Sequence, residues 1–359
     1  MKVYNLMREK VMKKANLFYV FDDAFAECAS VSICSFLENN NWQSATCIWI
    51  FDDGISDLNK KKISGMVGTH NCEIKYISTM ELNDKLKRAN VDTWRGRYSA
   101  YIKLFVGKLD LKRDVDKILF LDADTIVISS LEELFDINLD GYACAMALEG
   151  VPGSYYKYSG IEGKQLFNAG VILFNIEYWG KNNMEKRLWD YLNQKTQYFL
   201  LPEEDLLARV CENEISRLEP KYNMQTSFFI YSNRLFYNQM GWNKLENNFY
   251  SLNELIAQKG ESCILHCIDC GTGRPWQEGN IHPYNKYYDF YRNKTKWREE
   301  KKRGMYLSLW HKILFIFRKV LPDKISIQFY LLTSLYTFNI SVKKFYNAKK
   351  KVVMKGLGR

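Results

Sequence analysis

The 359-residue sequence is poor in proline and glycine and lacks an internal repeat. It contains 6 Pro and 20 Gly, too few for a collagen-like or low-complexity chain. We find no self-similarity at a period of about 20–50 residues, which excludes a solenoid or a propeller. With 47% apolar and 26% charged residues, the composition is that of a globular protein with one large or two modest domains.

Export signals and paired metal-binding cysteines are also missing. The N-terminal segment is basic but lacks the apolar core of a secretory signal. Nine cysteines are scattered along the chain, and Cys267–Cys270 is the one CxxC pair, whereas structural zinc sites usually show two. We therefore expect reduced thiols and a cytoplasmic protein.

A net positive charge is absent from most of the chain and confined to its tail. Residues 291–359 contain 18 Lys/Arg and 3 Asp/Glu, whereas residues 1–290 contain 33 and 38. An anionic partner would thus bind the tail rather than the body. Because the tail has no motif that reads bases, we expect no nucleic-acid partner.

Short β-branched and aromatic segments alternate with helical patterns along the body. This alternation predicts an α/β fold with a largely parallel sheet. The predicted strands are Leu17–Phe21, Thr46–Phe51, Glu73–Ile77, Lys117–Leu121 and Val171–Phe174, and the predicted helices are Ala26–Asn39, Ile55–Val67 (N-cap Ser56) and Tyr98–Leu109.

Carboxylates follow several predicted strands. Asp22, Asp52 and Asp122 each stand at a strand end, where open α/β sheets bind ligands. Aspartate is also a good turn residue, and for Asp52, in DDGIS, we prefer that interpretation. Asp122 differs because Asp124 follows at i+2. Two carboxylates at a strand end can share a divalent cation, and oxygen ligands suit Mn²⁺ or Mg²⁺ bridging to phosphates.

The segment around these acids, DKILFLDADTIV (Asp116–Val127), resembles the metal-binding strand of retaining glycosyltransferase family 8. That family includes bacterial lipopolysaccharide galactosyl- and glucosyltransferases and glycogenin. Six further segments match in order over about residues 16–290: FDDAF (Phe21–Phe25), IFDDGIS (Ile50–Ser56), FNAGVILFNIEYW (Phe167–Trp179), PEEDLL (Pro202–Leu207), LEPKYN (Leu218–Asn223) and HCIDCGTGRPW (His266–Trp276).

The resemblance implies a GT-A type, Rossmann-like catalytic domain over residues 1–290, followed by a basic helical region over 291–359. It also implies an enzyme that moves galactose or glucose from a UDP-sugar to a saccharide acceptor of lipopolysaccharide or another lipid-linked glycan, with retention of configuration. A protein of the same fold that binds nucleotide or glycan without turnover is the alternative.

The resemblance further implies which residues form the site. A metal ion, Mn²⁺ or Mg²⁺, would be held by Asp122, Asp124 and His266. The donor would be bound by Asp22, Asp23, Ala123, Ala169, Gly170, Gly271 and Arg274, and the catalytic group would comprise Lys103, Asn168, Glu203, Glu204 and Asp205.

Several of these positions depart from the family pattern. Arg274 replaces a Lys, Lys103 an Arg, Ala24 an Asn and Glu204 a Gln, and the loop after His266 is two residues longer. Glu204 leaves two retaining routes open, a covalent intermediate on a carboxylate or attack by the acceptor on the leaving-group face. Since His266 ligates a metal only as neutral imidazole, we expect activity to fall at low pH.

The tail suggests a membrane-seeking element. Met305–Val320 predicts an amphipathic helix, with Tyr306 on its apolar side. Residues 325–342 carry no charge but include seven polar side chains, which favours an interfacial helix over a spanning one. Five lysines between 343 and 351 suit an anionic leaflet. We expect peripheral attachment to the cytoplasmic face of the inner membrane. A helical cap packed on the catalytic domain is the alternative.

Overall fold

The computed structural model describes residues 14–43, 45–94, 96–109, 111, 115–161, 163–194, 199–305 and 309–356. Within these ranges the strands are β1 (Lys14–Phe21), β2 (Ala45–Asp52), β3 (Cys72–Ser78), β4 (Lys117–Leu121), β5 (Thr125–Val127), β6 (Cys144–Leu148), β7 (Phe167–Asn175), β8 (Ile215–Arg217), β9 (Met224–Gln225) and β10 (Ile264–His266).

The α-helices of the same ranges flank the sheets and close the chain. They are α1 (Ala26–Asn39), α2 (Asp57–Val67), α3 (Met80–Arg88), α4 (Ser99–Ile102), α5 (Glu132–Phe135), α6 (Ser154–Ser159), α7 (Ile176–Lys181), α8 (Met184–Leu192), α9 (Pro202–Val210), α10 (Thr226–Tyr231), α11 (Arg234–Gln239), α12 (Leu252–Gly260), α13 (Asn285–Arg292), α14 (Leu309–Val320) and α15 (Asp323–Gly356).

The larger sheet has seven strands in the order β3-β2-β1-β4-β7-β6-β8. All of its pairings are parallel except those of β7, which runs antiparallel to β4 and β6. Its central strands are apolar on both faces because helices cover both sides. Phe18 of β1 packs against Phe120 of β4 and Phe174 of β7, with ring centroids 4.8 and 5.8 Å away. The prediction of a mostly parallel α/β sheet is confirmed.

A second, three-stranded sheet has the order β5-β10-β9. In it β5 follows β4 after three residues and pairs antiparallel with β10, so that the end of β4 and the end of β10 lie side by side. This pairing brings the end of β10 to the carboxyl edge of the main sheet, although about 140 residues of chain separate β5 from β10.

One predicted helix is wrong. The segment Tyr98–Leu109 forms only the single turn α4, followed by turns and a short 3₁₀-helix, Val106–Lys108. Leu104 and Phe105 make i→i−3 hydrogen bonds to Tyr101 and Ile102. The amide of Gly107 donates to the Glu185 side chain. A glycine inside a helix is unfavourable, and here the side-chain partner replaces the helical one.

The C-terminal helices pack on the body. Val342 and Tyr346 of α15 are buried in a cluster with Tyr155 and Tyr156 of α6. Among the described helices, none combines the length and the apolar character that a membrane span requires. Tyr306 lies outside the described residues, as do the side chains at 349–351.

Candidate active site

The turn between β4 and β5 brings the two predicted metal carboxylates to one side. The backbone amide of Asp122 donates to the carbonyl of Gly170, which continues the pairing of β4 with β7 for one residue. The Asp122 carbonyl then accepts from the amide of Thr125 at 3.1 Å and from its hydroxyl at 2.8 Å. This tight turn takes the chain out of the pleat, so that side chains at i and i+2 converge.

The smaller sheet supplies the third predicted ligand. His266 is the last residue of β10 and stands opposite Thr125 in the β5–β10 pairing. Ligand atoms of Asp122, Asp124 and His266 all lie within 4.8 Å of one another. His266 Nε2 is 3.3 Å from Asp124 Oδ1. Three residues predicted from two distant motifs thus form one cluster.

A second contact orients the imidazole. His266 Nδ1 lies 3.0 Å from Asn223 Oδ1, an atom that can only accept, so Nδ1 carries the proton. Nε2 therefore directs its lone pair at the carboxylates, as a metal ligand requires. Burial lowers the pKa of His266, but the Asp124 carboxylate outweighs it, and the pKa is raised overall. Two carboxylates and an imidazole so arranged fit Mn²⁺ or Mg²⁺.

Two cations flank the cluster. The ammonium of Lys103, 4% exposed, lies 2.9 Å from Asp122 Oδ1, 3.1 Å from Glu203 Oε1 and 3.2 Å from the Ala169 carbonyl. Burial lowers the pKa of Lys103, but these carboxylates raise it overall. Arg274 lies 2.9 Å from Asp124 Oδ2. Burial disfavours the Asp124 charge, yet His266 and Arg274 hold the pKa of Asp124 far below its usual range.

A buried polar network lies on the other side of the cluster. Asn168 at the start of β7 donates to Glu149 Oε2 at 2.6 Å, and its Oδ1 accepts from the Gly170 amide and from Asn223 Nδ2. A Cβ on Gly170 would stand 2.2 Å from the His266 ring, so only glycine fits there. Sequence analysis missed Glu149 and Asn223; the LEPKYN motif contained Asn223 but carried no charge to mark it.

The three acidic residues in the first turn of α9 have different surroundings. Glu203 pairs with Lys103. Burial, followed by the nearby carboxylates of Glu203 and Glu149, raises the pKa of Glu204 well above its usual value. Asp205 is fully buried and turned away from the cleft. Its Oδ2 accepts from the Tyr155 and Tyr346 hydroxyls at 2.7 and 3.0 Å, and Arg209 contacts its Oδ1.

A cleft of about 290 Å³ opens beside the carboxylates toward the end of β1. Asp22 lines it, caps the following turn and pairs with Arg97 at 2.7 Å. Asp23 points elsewhere and accepts from the backbone amide of Ser56 and from Asn59 at the start of α2. The cleft is also lined by residues that sequence analysis missed, among them Phe25, Asp53, Trp94 and Arg97.

The structure also shows the surroundings of Asp52 and Gly271. Asp52 Oδ1 accepts from the amides of Gly54 and Ile55, the turn interpretation preferred above. Gly271 does not face the cleft, because a Cβ there would stand 2.1 Å from the Tyr330 ring of α15. Ala123 and Lys103 line the cleft with Asp122, Asp124 and Glu203.

The mostly parallel, seven-stranded sheet flanked by helices is that of a GT-A type fold. The model of glycosyl transferase family 8 matches residues 16–278, and the chain belongs to that family.

Characterised proteins resemble the chain over most of its length. General stress protein A of Bacillus subtilis is 20% identical over 292 residues, covering 80% of this chain and 96% of that protein. The lipopolysaccharide 1,2-glucosyltransferase of Escherichia coli is 23% identical, covering 80% of each. The crystal structure of galactosyltransferase LgtC with donor and acceptor sugar analogues superposes with a TM-score of 0.61 at 18% identity, over 79% of this chain and 99% of that one.

Proposed function

We propose that this protein is a metal-dependent, retaining hexosyltransferase that moves galactose or glucose from a UDP-sugar to a saccharide acceptor of a lipid-linked surface glycan. The observation that carries the proposal is the convergence of Asp122, Asp124 and His266 within 4.8 Å beside the cleft. Two of the similar proteins, from Escherichia coli and Salmonella typhimurium, are lipopolysaccharide hexosyltransferases by name, which supports the acceptor class.

Leaving-group stabilisation is the main chemical task. A divalent metal held by the three ligands would neutralise the diphosphate charge that develops as the sugar leaves. Arg274, 2.9 Å from Asp124, offers a guanidinium fork to the same phosphates. Lys103 holds Asp122, Glu203 and the Ala169 carbonyl in one arrangement, so that little reorganisation is needed during the reaction.

Glu204 favours the route without a covalent intermediate. Burial and the neighbouring carboxylates raise its pKa well above the ordinary value, which favours the protonated, neutral form. A protonated carboxyl group is a poor nucleophile but a good hydrogen-bond donor, like the amide that the family usually has there. We therefore propose attack by the acceptor hydroxyl on the leaving-group face, and we expect Glu204→Gln to keep substantial turnover.

The outer side of the C-terminal helix pair supports peripheral attachment to an anionic membrane, which we propose occurs at the cytoplasmic face of the inner membrane. Half or more of each of the apolar side chains Ile316, Val320, Ile325, Leu332 and Tyr336 is exposed. The last three recur at i, i+7 and i+11, and Phe317 and Phe329 join the two helices with ring centroids 5.5 Å apart. The exposed lysines around them are Lys312, Lys319, Lys324, Lys343 and Lys344.

Vesicle sedimentation tests this attachment. We expect the full chain to sediment with phosphatidylglycerol-containing vesicles at low salt and not with pure phosphatidylcholine. Val320→Glu should abolish sedimentation, whereas Ile256→Glu, at an exposed apolar position of α12, should not. Equal binding by both variants would contradict the assignment to this face.

The transfer reaction is tested by UDP release from a panel of UDP-sugars, with Mn²⁺ and with chelator. We expect slow hydrolysis of one UDP-hexose, abolished by chelator. No release and no Mn²⁺-dependent UDP binding would refute the proposal, and UDP binding without release under any acceptor condition would leave a binding protein.

A further inference from the structure

A polar cavity of about 770 Å³ lies between the body and the C-terminal helix. Three segments wall it: residues 152–157 with Gly163, residues 238–248, and Leu335 with Asn339 of α15. It is distinct from the cleft beside the metal cluster, since no residue lines both. Its volume lies within the range of about 300–1,000 Å³ that is typical of small-molecule sites.

The cavity is chemically suited to a saccharide. Amides, a carboxylate, a hydroxyl and ammonium groups offer both donors and acceptors to sugar hydroxyls, while Tyr156, Met240 and Leu335 offer apolar surface to ring C–H groups. Gln239, one of the lining residues, has a buried Oε1 without a hydrogen-bond partner among the described residues. A buried acceptor left unpaired is costly, and a hydroxyl of a ligand would satisfy it.

The cavity adjoins the buried network around the donor-sugar side of the metal cluster. Glu149 bonds Asn168 there, and Pro152, three residues later, already lines the cavity, so about 10 Å of chain at most separates the two. Tyr156 also lines the cavity. Burial, followed by the Glu149 carboxylate, raises the pKa of its phenol.

Close backbone contacts build the rim. The amide of Gly153 donates to the Met240 carbonyl at 2.7 Å, and a Cβ on Gly153 would stand 2.7 Å from the carbonyl oxygen of Gly241. Glycine at 153 therefore lets the start of α6 and the loop after α11 join. The two segments form one continuous wall instead of two independent loops.

The C-terminal helix is fixed over this wall by specific bonds. Ser154 Oγ and Asn339 Oδ1 lie 2.5 Å apart. Two turns further along the helix, the Tyr346 hydroxyl donates a hydrogen bond to Asp205 of α9. Leu331 and Val342 on the same side are buried. This side of α15 is thereby held against α6 and α9.

We infer that this cavity binds the acceptor saccharide and that the C-terminal helix is one wall of the acceptor site. The inference rests on the proposed transferase function and adds to it the place where the second substrate binds. Asn339 follows Leu332 of the proposed membrane side by seven residues, so the cavity lies beside that side of the helix and would hold the glycan part of a glycolipid from that membrane.

The test compares two tryptophan substitutions on the same helix. Asn339→Trp fills the cavity, whereas Thr337→Trp adds the same side chain at an exposed position on the opposite side of α15. The probe is the lipid-free oligosaccharide released by mild acid from envelopes of a strain that lacks the gene, so membrane attachment does not contribute. Both UDP release without acceptor and transfer of labelled hexose to the probe are measured.

We expect the ratio of transfer to UDP release to fall at least about tenfold in Asn339→Trp, because the added ring occupies acceptor space. Thr337→Trp should keep the wild-type ratio. Asn339→Ala removes a polar contact without filling space. It should raise the KM for the oligosaccharide and leave the melting temperature within a few degrees of wild type. This smaller variant tests the cavity even if the tryptophan variant misfolds.

The other possible outcomes distinguish failure of the cavity assignment from failure of the proposed transferase function. An unchanged ratio in Asn339→Trp overturns the cavity assignment while leaving the proposed transferase function intact. UDP release by wild type with transfer neither to the oligosaccharide nor to intact membranes of the same strain excludes a saccharide acceptor and this inference with it. Absence of UDP release from every UDP-sugar, with or without the oligosaccharide, refutes the proposed function instead.

Discussion

The carboxyl edge of the sheet and the C-terminal helices present their functional side chains by different means. At the sheet edge, charged groups are buried and held by strand ends and by one another, as with Lys103 between Asp122 and Glu203. In α15, one side is fixed by Tyr346 and Val342 while the other is exposed. The loss of a charge in the cluster around Lys103 should therefore be costly, whereas the effect of a change in the tail should depend on the side on which it falls.

The largest effect is expected at the sheet edge. Asp124→Ala should lower UDP-sugar turnover by at least about 10³-fold, because the diphosphate loses its metal. Asp52→Ala is a matched control, since this strand-end carboxylate serves a turn and an ion pair with Lys60. Steady-state assays should show near-wild-type turnover for the control. Equal losses in both variants would mean that strand-end acids act only through folding.

The second-largest effect is expected at Lys103, the cation between Asp122 and Glu203. Lys103→Met should lower turnover by about 10²-fold and stability by about 3–5 kcal/mol, because it leaves the buried Glu203 carboxylate and the partly buried Asp122 carboxylate without their counter-charge. Lys103→Arg, the residue usual in the family, should restore most of both. Denaturant unfolding and UDP release measure the two effects. A stable, active methionine variant would show that the ion pairs are dispensable.

The inner side of the tail should show a smaller, purely structural effect. Tyr346→Phe removes a hydrogen bond to the buried Asp205 carboxylate and should cost about 1.5 kcal/mol, or about 2 °C in melting temperature. Tyr336→Phe, whose side chain is 70% exposed, should leave the melting temperature unchanged. If both variants melted like wild type, the docking of α15 on α9 would be in doubt.

The smallest expected effect depends on pH. Burial and neighbouring carboxylates raise the folded-state pKa of Glu204, so folding takes up a proton between the unfolded and folded pKa values, and stability is lost as the pH rises through the folded value. In chelator, Glu204→Gln should melt about 1 °C above wild type at pH 7, with the difference vanishing near pH 4. Glu203→Gln should gain nothing, because Glu203 is paired with Lys103. A gain that is independent of pH would point to packing instead.

The sequence predicted the sheet edge far better than the tail or the cleft wall. Strand-end acids and the strand β4 follow from periodicity and turn chemistry, which are local. Arg97 was missed because nothing in its neighbourhood marks a cleft. Asp53 stands in a matching motif but was assigned no role, and it meets Arg97 only through the tertiary fold. Asp205 belongs to a matching motif, but its partner Tyr346 lies 141 positions away, and no local pattern reveals such a contact.

The predicted helix Tyr98–Leu109 shows the same limit of local patterns. The segment Tyr98–Leu109 has helical periodicity, yet burial of Lys103 against two carboxylates and the side-chain bond to Gly107 favour tight turns. Tertiary ion pairs thus override a weak local preference. The N-cap at Ser56, in contrast, is a local hydrogen bond to the amide of Asn59 and was predicted correctly.

Electron paramagnetic resonance of Mn²⁺ in the presence of UDP tests the central claim most directly, because it reports the metal without requiring the acceptor. We predict one tightly bound Mn²⁺ per chain in wild type and in Asp52→Ala, and loss of that binding in Asp124→Ala. Binding by Asp124→Ala equal to that of wild type, or no binding by wild type, would contradict a metal centre at the end of β4.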